Sequence, residues 1–318
     1  MSAISELTSL RRVGARTAEE RRQQRKENGR DNKAGYLFLL PWLIGLIVIT
    51  IGPMCASLYL SFTDYNLLRP PQWVGLANFR EMLGDERLHQ SLKVTFIYVF
   101  VGVPLQLALA LVIAIALDKG MKGLAFYRSI FYLPSMLGGS VAIAVLWRQI
   151  FGTDGLVNQV LRMVGINAHT GWVSDPSYAL GTIIILHIWT FGSPMVIFLA
   201  GLRQIPTMYY EAADVDGASR WARFSRITMP LLSPIVFFNL VLQIIGAFQS
   251  FTQAFVVSGG TGGPSDSTLF YTLYLYNRGF ANLQMGYASA MAWVLLVIIG
   301  AFTAINFFAS KYWVFYDD

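Results

Sequence analysis

Six long apolar stretches constrain this chain more than any other feature, because each can cross a bilayer and a crossing takes about 20 apolar residues. They run roughly over Tyr36–Phe62, Ser91–Leu117, Tyr127–Ile150, Tyr178–Ala200, Leu231–Val257 and Gly286–Ser310. The first is not a cleavable leader, since its apolar run far exceeds the roughly 7–15 residues of a signal-peptide core. Composition agrees: 55% of residues are hydrophobic, 13% are charged and the mean hydropathy is +0.50. A soluble domain carries about 25% charged residues to wet its surface. The expected fold class is therefore all-α, a polytopic transmembrane helical bundle of six spans in a lipid bilayer. Pro41, Pro53, Pro104, Pro134, Pro194 and Pro234 fall within or at the edges of these stretches. A membrane bundle can re-satisfy the backbone groups that proline frees, so kinked spans are expected.

The net charge of +6 and a pI near 9.4 invite a nucleic-acid reading, but the placement of the charge opposes it. Nine Lys/Arg and five Asp/Glu lie between Met1 and Lys33, and the remainder is close to neutral. A basic tail ahead of an apolar span marks the cytoplasmic side. Residues 1–33 are thus read as a basic, disordered cytoplasmic tail, with few apolar side chains to bury. Residues 34–318 are read as the transmembrane domain. With the N-terminus inside, cytoplasmic segments hold seventeen Lys/Arg and the other side holds seven, so both termini are placed in the cytoplasm. Trp42, Tyr59, Trp147, Trp172, Trp313 and Tyr316 crowd the span ends as interfacial aromatics do. Arg148 and Arg278 fall near the outer membrane edge, where attraction of uronates and interfacial anchoring are both open. Anchoring is the favoured reading.

The sequence carries little chemistry of its own. There is no G-x-x-x-x-G-K-[ST] loop to cradle nucleotide phosphates. His89, His169 and His187 suit no metal site, and His187, inside a span, reads as a hydrogen-bonded structural residue. The lone Cys55 excludes an intramolecular disulfide framework. No Asp or Glu sits in the middle of a span, which disfavours proton or sodium coupling. No catalytic residue, bound cofactor or metal is expected, and energy for transport would have to come from a partner.

The loop from Ile205 to Pro230, between the fourth and fifth stretches, reads as two short helices. Thr207 is a candidate N-cap, Glu211 lies in the first turns and Gly217 stops the first helix. Ser219 can cap a second helix ending before Pro230. Ala212, Ala213, Gly217 and Ala218 would allow close approach by another protein. Trp221 and Phe224 form an apolar ridge three residues apart. Residue physics alone leaves two readings open: a docking element for a protein, or an interfacial helix with its aromatics in lipid.

This loop resembles the EAA motif of binding-protein-dependent ABC permeases, E-A-A-x(3)-G-x(9)-I-x-L-P. Glu211, Ala212, Ala213, Gly217, Ile227 and Pro230 fall in register, and Met229 replaces the leucine. The resemblance covers nearly the whole chain from Gly35. It narrows to the carbohydrate-uptake branch through Phe38–Trp42, Gly75–Phe79, Phe131–Pro134, Phe198–Pro206, Met285–Trp293 and Lys311–Tyr316. Gly262-Gly263-Pro264 resembles the first-subunit type of the branch. The resemblance implies a type I ABC importer permease in a bacterial inner membrane, importing a sugar or oligosaccharide and paired with a second permease subunit. Two ATP-binding subunits would lie beneath, holding ATP and Mg, and an extracytoplasmic solute-binding protein would deliver the sugar. The EAA loop would be the coupling element, with Asp216, Trp221 and Phe224 beside the motif residues.

The fifth stretch carries an unusual polar load for lipid, with Gln249, Thr252 and Gln253 among its members. On a continuous helix Gln249 and Thr252 share a face, and Phe248 and Phe251 could stack on the apolar face of a sugar ring. The segment Phe248–Gln253 also resembles the family segment lining the translocation path. Interhelical hydrogen bonding is the alternative role for such polar residues.

Overall fold

The computed structural model describes residues 37–118, 123–166 and 169–315. The basic tail of residues 1–33, Tyr36, Lys119, Lys122 and Tyr316 lie outside the described residues. The chain divides into two compact units, Met1–Tyr59 and Leu60–Asp318. Five helices are long and apolar enough to cross a membrane: α1 (Leu37–Ser61), α3 (Glu86–Asp118), α7 (Ala179–Leu202), α9 (Arg220–Phe248) and α12 (Met285–Ser310). A sixth crossing is available if α4 (Leu124–Leu137) and α5 (Val141–Ile150) count as one span, bent by 96°. The shorter helices are α2 (Ala77–Gly84), α6 (Leu156–Met163), α8 (Thr207–Val215), α10 (Thr252–Val257) and α11 (Tyr271–Tyr276). One two-stranded antiparallel ribbon, β1 (Thr63–Asp64) with β2 (Gln72–Trp73), is the only sheet among the described residues.

In α1 the apolar side chains Phe38, Trp42 and Ile49 are exposed, a pattern suited to lipid or to another membrane protein. The second unit has a real interior. Small residues on α3, Ala110 and Ala114, let the second half of α7 approach closely, and Met195, Phe198 and Leu199 fill the seam. The α4–α5 bend is built into the sequence. Gly138 and Gly139 interrupt the helix, and the Ser140 hydroxyl accepts the Ile143 N–H at 3.3 Å to start α5. A Cβ at Gly138 would overlap the Thr190 side chain, so the bend packs directly on the interruption in α7.

Three prolines are accommodated by widening of the helix ahead of them, whereas Pro134 and Pro234 lie within ordinary α-helix. Wide π-type turns cover Leu46–Ile51, Tyr98–Gly102 and Phe224–Thr228, and each ends two residues before a proline: Pro53, Pro104 and Pro230. A proline ring collides with the carbonyl four residues back, and a local π register moves that carbonyl away. The expected end of the second loop helix before Pro230 is therefore corrected. Met229 N–H donates to Phe224 O across the wide turn, and the helix runs unbroken from Arg220 to Phe248.

Buried polar side chains tie the end of the second unit that carries Asp85 and the ribbon. Asn78 Nδ2 donates to Ser61 O at 2.8 Å and Thr63 O at 3.0 Å. Gly286 N–H donates to Tyr65 O at 3.0 Å, and a Cβ there would overlap Thr63 O. Asp85 is the centre of a larger knot. One carboxylate oxygen caps α3 through the N–H groups of Arg87 and Leu88, both at 3.1 Å. The other accepts from Tyr274 and Tyr287 hydroxyls at 2.7 Å and from Arg278 at 3.0 Å. Arg278 also reaches Glu81 at 2.8 Å and Gln284 at 2.7 Å, and lies over the Tyr287 ring at 4.2 Å. The Arg278 Nη groups thus tie α2 and the starts of α3 and α12 together, while its buried Nε has no hydrogen-bond partner among the described residues. His187 departs from expectation. It packs on Tyr98 and Gly102, but its buried Nε2 has no hydrogen-bond partner among the described residues.

Burial raises the Asp85 carboxyl pKa, and the bonds from Tyr274, Tyr287, the Leu88 amide and Arg278 outweigh it, holding it below the ordinary 3.8. A carboxyl with a depressed folded-state value stabilises fully above its unfolded value and loses that contribution as the pH falls through the folded one. Melting curves of the solubilised protein should therefore drop on acidification below 3.8, more steeply than those of Asp85→Asn. At neutral pH the variant should already melt lower, having lost a cap and the charge that binds Arg278. Identical curves would remove Asp85 from this role.

Candidate functional site

The loop beyond α7 folds as a rigid hairpin of helices. Pro206 fills the cap position of α8, with no side-chain cap bond, and Thr207 is the first helical residue rather than the cap. Gly217, at φ +69°, reverses the chain, and Gly217 N–H and Ala218 N–H donate to Asp214 O at 3.1 Å and Ala213 O at 2.9 Å. Any side chain at this left-handed position costs about 1–2 kcal/mol. Ser219 then starts α9, its hydroxyl accepting the Ala222 N–H at 3.2 Å, a cap of the kind worth about 1 kcal/mol. Arg223 locks the two helices together, pairing with Asp214 and donating from Nε to Ala218 O at 3.1 Å. Tyr210 OH and Thr228 Oγ1 share a further hydrogen bond of 3.0 Å.

What this hairpin presents is an apolar face on a polar loop. Val215 is 88% exposed, Trp221 73% and Met208 64%. Phe224, half-buried, lies against Trp221 with ring centroids 5.5 Å apart and supports it from behind. Glu211, Ala212, Asp216 and Gly217 are exposed, Ala213 is buried against the loop, and Ile227 and Pro230 are half-buried in α9. Sequence reasoning named Trp221 and Phe224 but missed Met208 and Val215. Both follow from reading α8 as a helix with an outer face.

The polar segment of the fifth stretch departs from the continuous helix expected through Val257. α9 ends at Phe248, Gln249 closes it, and α10 begins at Thr252 after Phe251 takes φ −133°, ψ −56°. Gln249 and Thr252 therefore stand on different elements and do not share a helical face. Phe248 is 1% exposed, edge-on to Phe96 and stacked near Phe302, so this chain offers no open face of its ring. Phe251 stacks on Phe255, with centroids 5.3 Å apart. Gln253 holds the break in place, donating to Gly138 O at 3.1 Å across to the α4–α5 bend, while Thr272 Oγ1 donates to Ser250 O. Gln249 remains exposed, and Thr252 is half-buried. The hairpin and the break are not neighbours. They are the two ends of α9, whose 29 residues span roughly 44 Å.

The model of the binding-protein-dependent transport system inner membrane components matches residues 87–312. The chain belongs to that family. The probable ABC transporter permease protein YesP of Bacillus subtilis (strain 168) is 56% identical over 290 residues, covering 91% of this chain and 94% of YesP. The lactose transport system permease protein LacF of Rhizobium radiobacter is 32% identical over 282 residues, covering 87% of this chain and 94% of LacF. Among solved structures, a chain of the bacterial alginate ABC transporter, in complex with an alginate pentasaccharide-bound periplasmic protein, superposes with a TM-score of 0.78. It is 20% identical, with 90% of this chain and 96% of that chain covered, and this likeness is one of fold. The all-α permease architecture read from the sequence is thereby confirmed, and the third expected crossing is a pair of helices bent by 96°.

Arg223→Ala removes the Asp214 pair and the bond to Ala218 O while touching none of the long packing seams. Amide hydrogen exchange across Tyr209–Ala222 should speed up several-fold, and the melting temperature of the bundle should stay within a degree or two of the parent, the effect of a few tenths of a kcal/mol. Unchanged exchange would mean that the hairpin is held by something other than Arg223.

Proposed function

We propose that this permease is one of two membrane subunits of an ATP-driven importer for a sugar or oligosaccharide, and that the α8–α9 hairpin couples it to an ATP-binding partner. The observation that carries this reading is the exposed face of Met208, Val215 and Trp221 on a hairpin braced by Arg223 and Tyr210. A monomer has no use for such an apolar ridge on a loop between spans, whereas a rigid knob of this kind fits a groove on another protein. ATP and Mg belong to that partner, and this chain contributes no catalytic group. Glu211, Ala212, Ala213, Asp216, Gly217, Ile227 and Pro230 shape the knob, with Trp221 and Phe224 as its anchors. The hairpin and both termini lie on the cytoplasmic side of the inner membrane. A solute-binding protein delivers cargo at the opposite face, consistent with the periplasmic protein in the alginate complex and the lactose cargo of LacF. The break at Gln249–Phe251 lines the path with Thr252 and Gln253, and α9 transmits motion between hairpin and path.

Docking is best probed at Val215, because Gly217 substitutions also strain the backbone. Val215→Glu leaves φ unaltered and places a charge in the proposed interface. The reconstituted complex should lose most of its substrate-stimulated ATP hydrolysis, by about tenfold or more if the site is an interface hot spot. The variant should melt like the parent. Full stimulation in the Val215→Glu complex would sink the docking assignment. Sidedness is tested separately, in a chain carrying Cys55→Ala. A cysteine at Ser219 should react with an impermeant thiol reagent only after lysis, and one at Ser174 should react without it. The opposite pattern would invert the bundle.

A further inference from the structure

A fully buried amide in the core of the second unit is left without partners. Asn239 lies in the middle of α9 at 0% exposure, and neither Nδ2 nor Oδ1 has a hydrogen-bond partner among the described residues. Asn158, equally buried, donates to Thr153 O and Thr170 O at 2.8 Å and accepts from the Trp172 indole at 2.7 Å. Asn306, in α12, falls back on its own helix and donates to Phe302 O at 2.8 Å. Asn239 does neither. A carboxamide buried unpaired forfeits its hydration with nothing in return, so the packed arrangement is costly at this point.

Apolar packing alone holds this part of α9 in place. Leu232 and Ile235 close over Gly201 on α7, and Asn239, four residues past Ile235 and seven past Leu232, continues that face. From Pro234 to Phe248 no side chain of α9 hydrogen-bonds to α3 or α7 among the described residues. Those two helices, by contrast, are bonded to each other. Gln106 Nε2 donates to His187 O and Thr190 O at 3.1 Å and to Thr190 Oγ1 at 3.0 Å. Apolar contact between helices has no hydrophobic driving force in a bilayer, since lipid tails are equally apolar. The α3–α7 pair is therefore the fixed element, and α9 is the one free to part from it.

Exposure along α9 marks where water enters. Asn239, Gln243, Gly246 and Ser250 recur at i, i+4, i+7 and i+11, one stripe that leads to the break. Asn239 is buried, Gln243 is half-buried and Gly246 is exposed, with open space where its Cβ would stand. Polar side chains in a span face water or protein rather than lipid. The stripe is thus open beside the break and closed at Asn239. We propose that Asn239 is a gate residue: its unpaired amide weakens the contact of α9 with α3 and α7, and water reaches it along the stripe when α9 moves off that pair. The inference rests on the importer reading only for what drives the movement, ATP hydrolysis by the partner.

The test uses the complete transporter in lipid nanodiscs, its permease carrying Cys55→Ala. One chain adds Asn239→Cys, and a control adds Ala114→Cys at equal burial in the α3–α7 seam. A cationic methanethiosulfonate, which travels in water, should modify the first chain and spare the second. ATP with Mg should speed that modification several-fold over ADP. Asn239→Leu keeps the heavy-atom skeleton and removes the unpaired amide. It should raise the melting temperature by a few degrees and lower kcat for ATP hydrolysis several-fold, with KM for ATP unchanged. A lower melting temperature would mean that the amide is satisfied, and would overturn the proposal. A stabilised variant that hydrolyses ATP at the parent's rate would overturn it too. So would an unreactive Asn239→Cys chain, or equal modification of both cysteine chains, whether or not the leucine variant assembles. If melting and modification behave as stated in a preparation that hydrolyses no ATP, the importer reading fails and the gate remains.

Discussion

Every backbone N–H and C=O inside hydrocarbon must find a partner within the protein, and this constraint shapes the molecule more than any side-chain contact. It explains why three of the prolines, Pro53, Pro104 and Pro230, sit behind widened turns and not at helix ends. A π turn before Pro53, Pro104 and Pro230 keeps the ladder closed on both sides of the ring. It also gives weight to the break that ends the long apolar helix α9. At Gln249–Phe251 the freed groups are re-satisfied locally, with Gln249 N–H on Gly246 O and Ser250 N–H on Ala247 O, and remotely, with Thr272 on Ser250 O. Irregular backbone at membrane depth persists only where protein buries it or a wet cavity solvates it. The break, more than the polar composition around it, makes this segment the place to look for a path.

The two ends of the second unit are fixed by different chemistry. At the hairpin end, Arg203 meets Asp118 at 3.5 Å, Arg223 pairs with Asp214, and an apolar ridge is left facing outward. These exposed ion pairs are individually weak. At the other end, the Asp85 carboxylate gathers five donors from α3, α11, α12 and the π turn after α11, and Arg278 answers with two acids. Such a part-buried network favours one arrangement of helices, since removing a member would leave charge without a partner. Between them α9 is continuous. In the proposed importer a displacement of the hairpin moves the lip of the break as one rigid body, with no joint at Pro230 to absorb it.

How much of this could be read in advance depends on whether the cause is local. The reversal at Gly217 and the cap at Ser219 were legible, because a left-handed glycine and a hydroxyl cap act over a few residues. The spans themselves followed from hydropathy. The break at 249–251 was not legible, for Gln-Ser-Phe carries no glycine or proline and the stabilising bonds come from Thr272 and Gly138. The same holds for the Asp85 knot, whose partners Tyr274, Arg278 and Tyr287 lie some 190–200 residues away. The α4–α5 bend is an intermediate case. A kink in the Tyr127–Ile150 stretch was expected from Pro134, but the sharp bend falls at Gly138–Ser140, after the proline. Continuity through Pro230 was misread because proline was treated as a stop, when a π turn ahead of it removes the clash.

The placement of charge bears on where the energy for transport enters. Among the described residues of the spans, acidic side chains occur only at helix ends, Glu86 and Asp118; His89 lies in the exposed first turn of α3, and His187 is packed against Tyr98 and Gly102. A proton relay needs a chain of exchanging groups across the hydrophobic thickness, and none is assembled here. Charge is concentrated instead at the two ends, where it fixes geometry. Between the two ends, the described spans hold no acidic side chain away from their termini. In the proposed importer, work is delivered mechanically from outside the chain, through the exposed side chains of Met208, Val215 and Trp221.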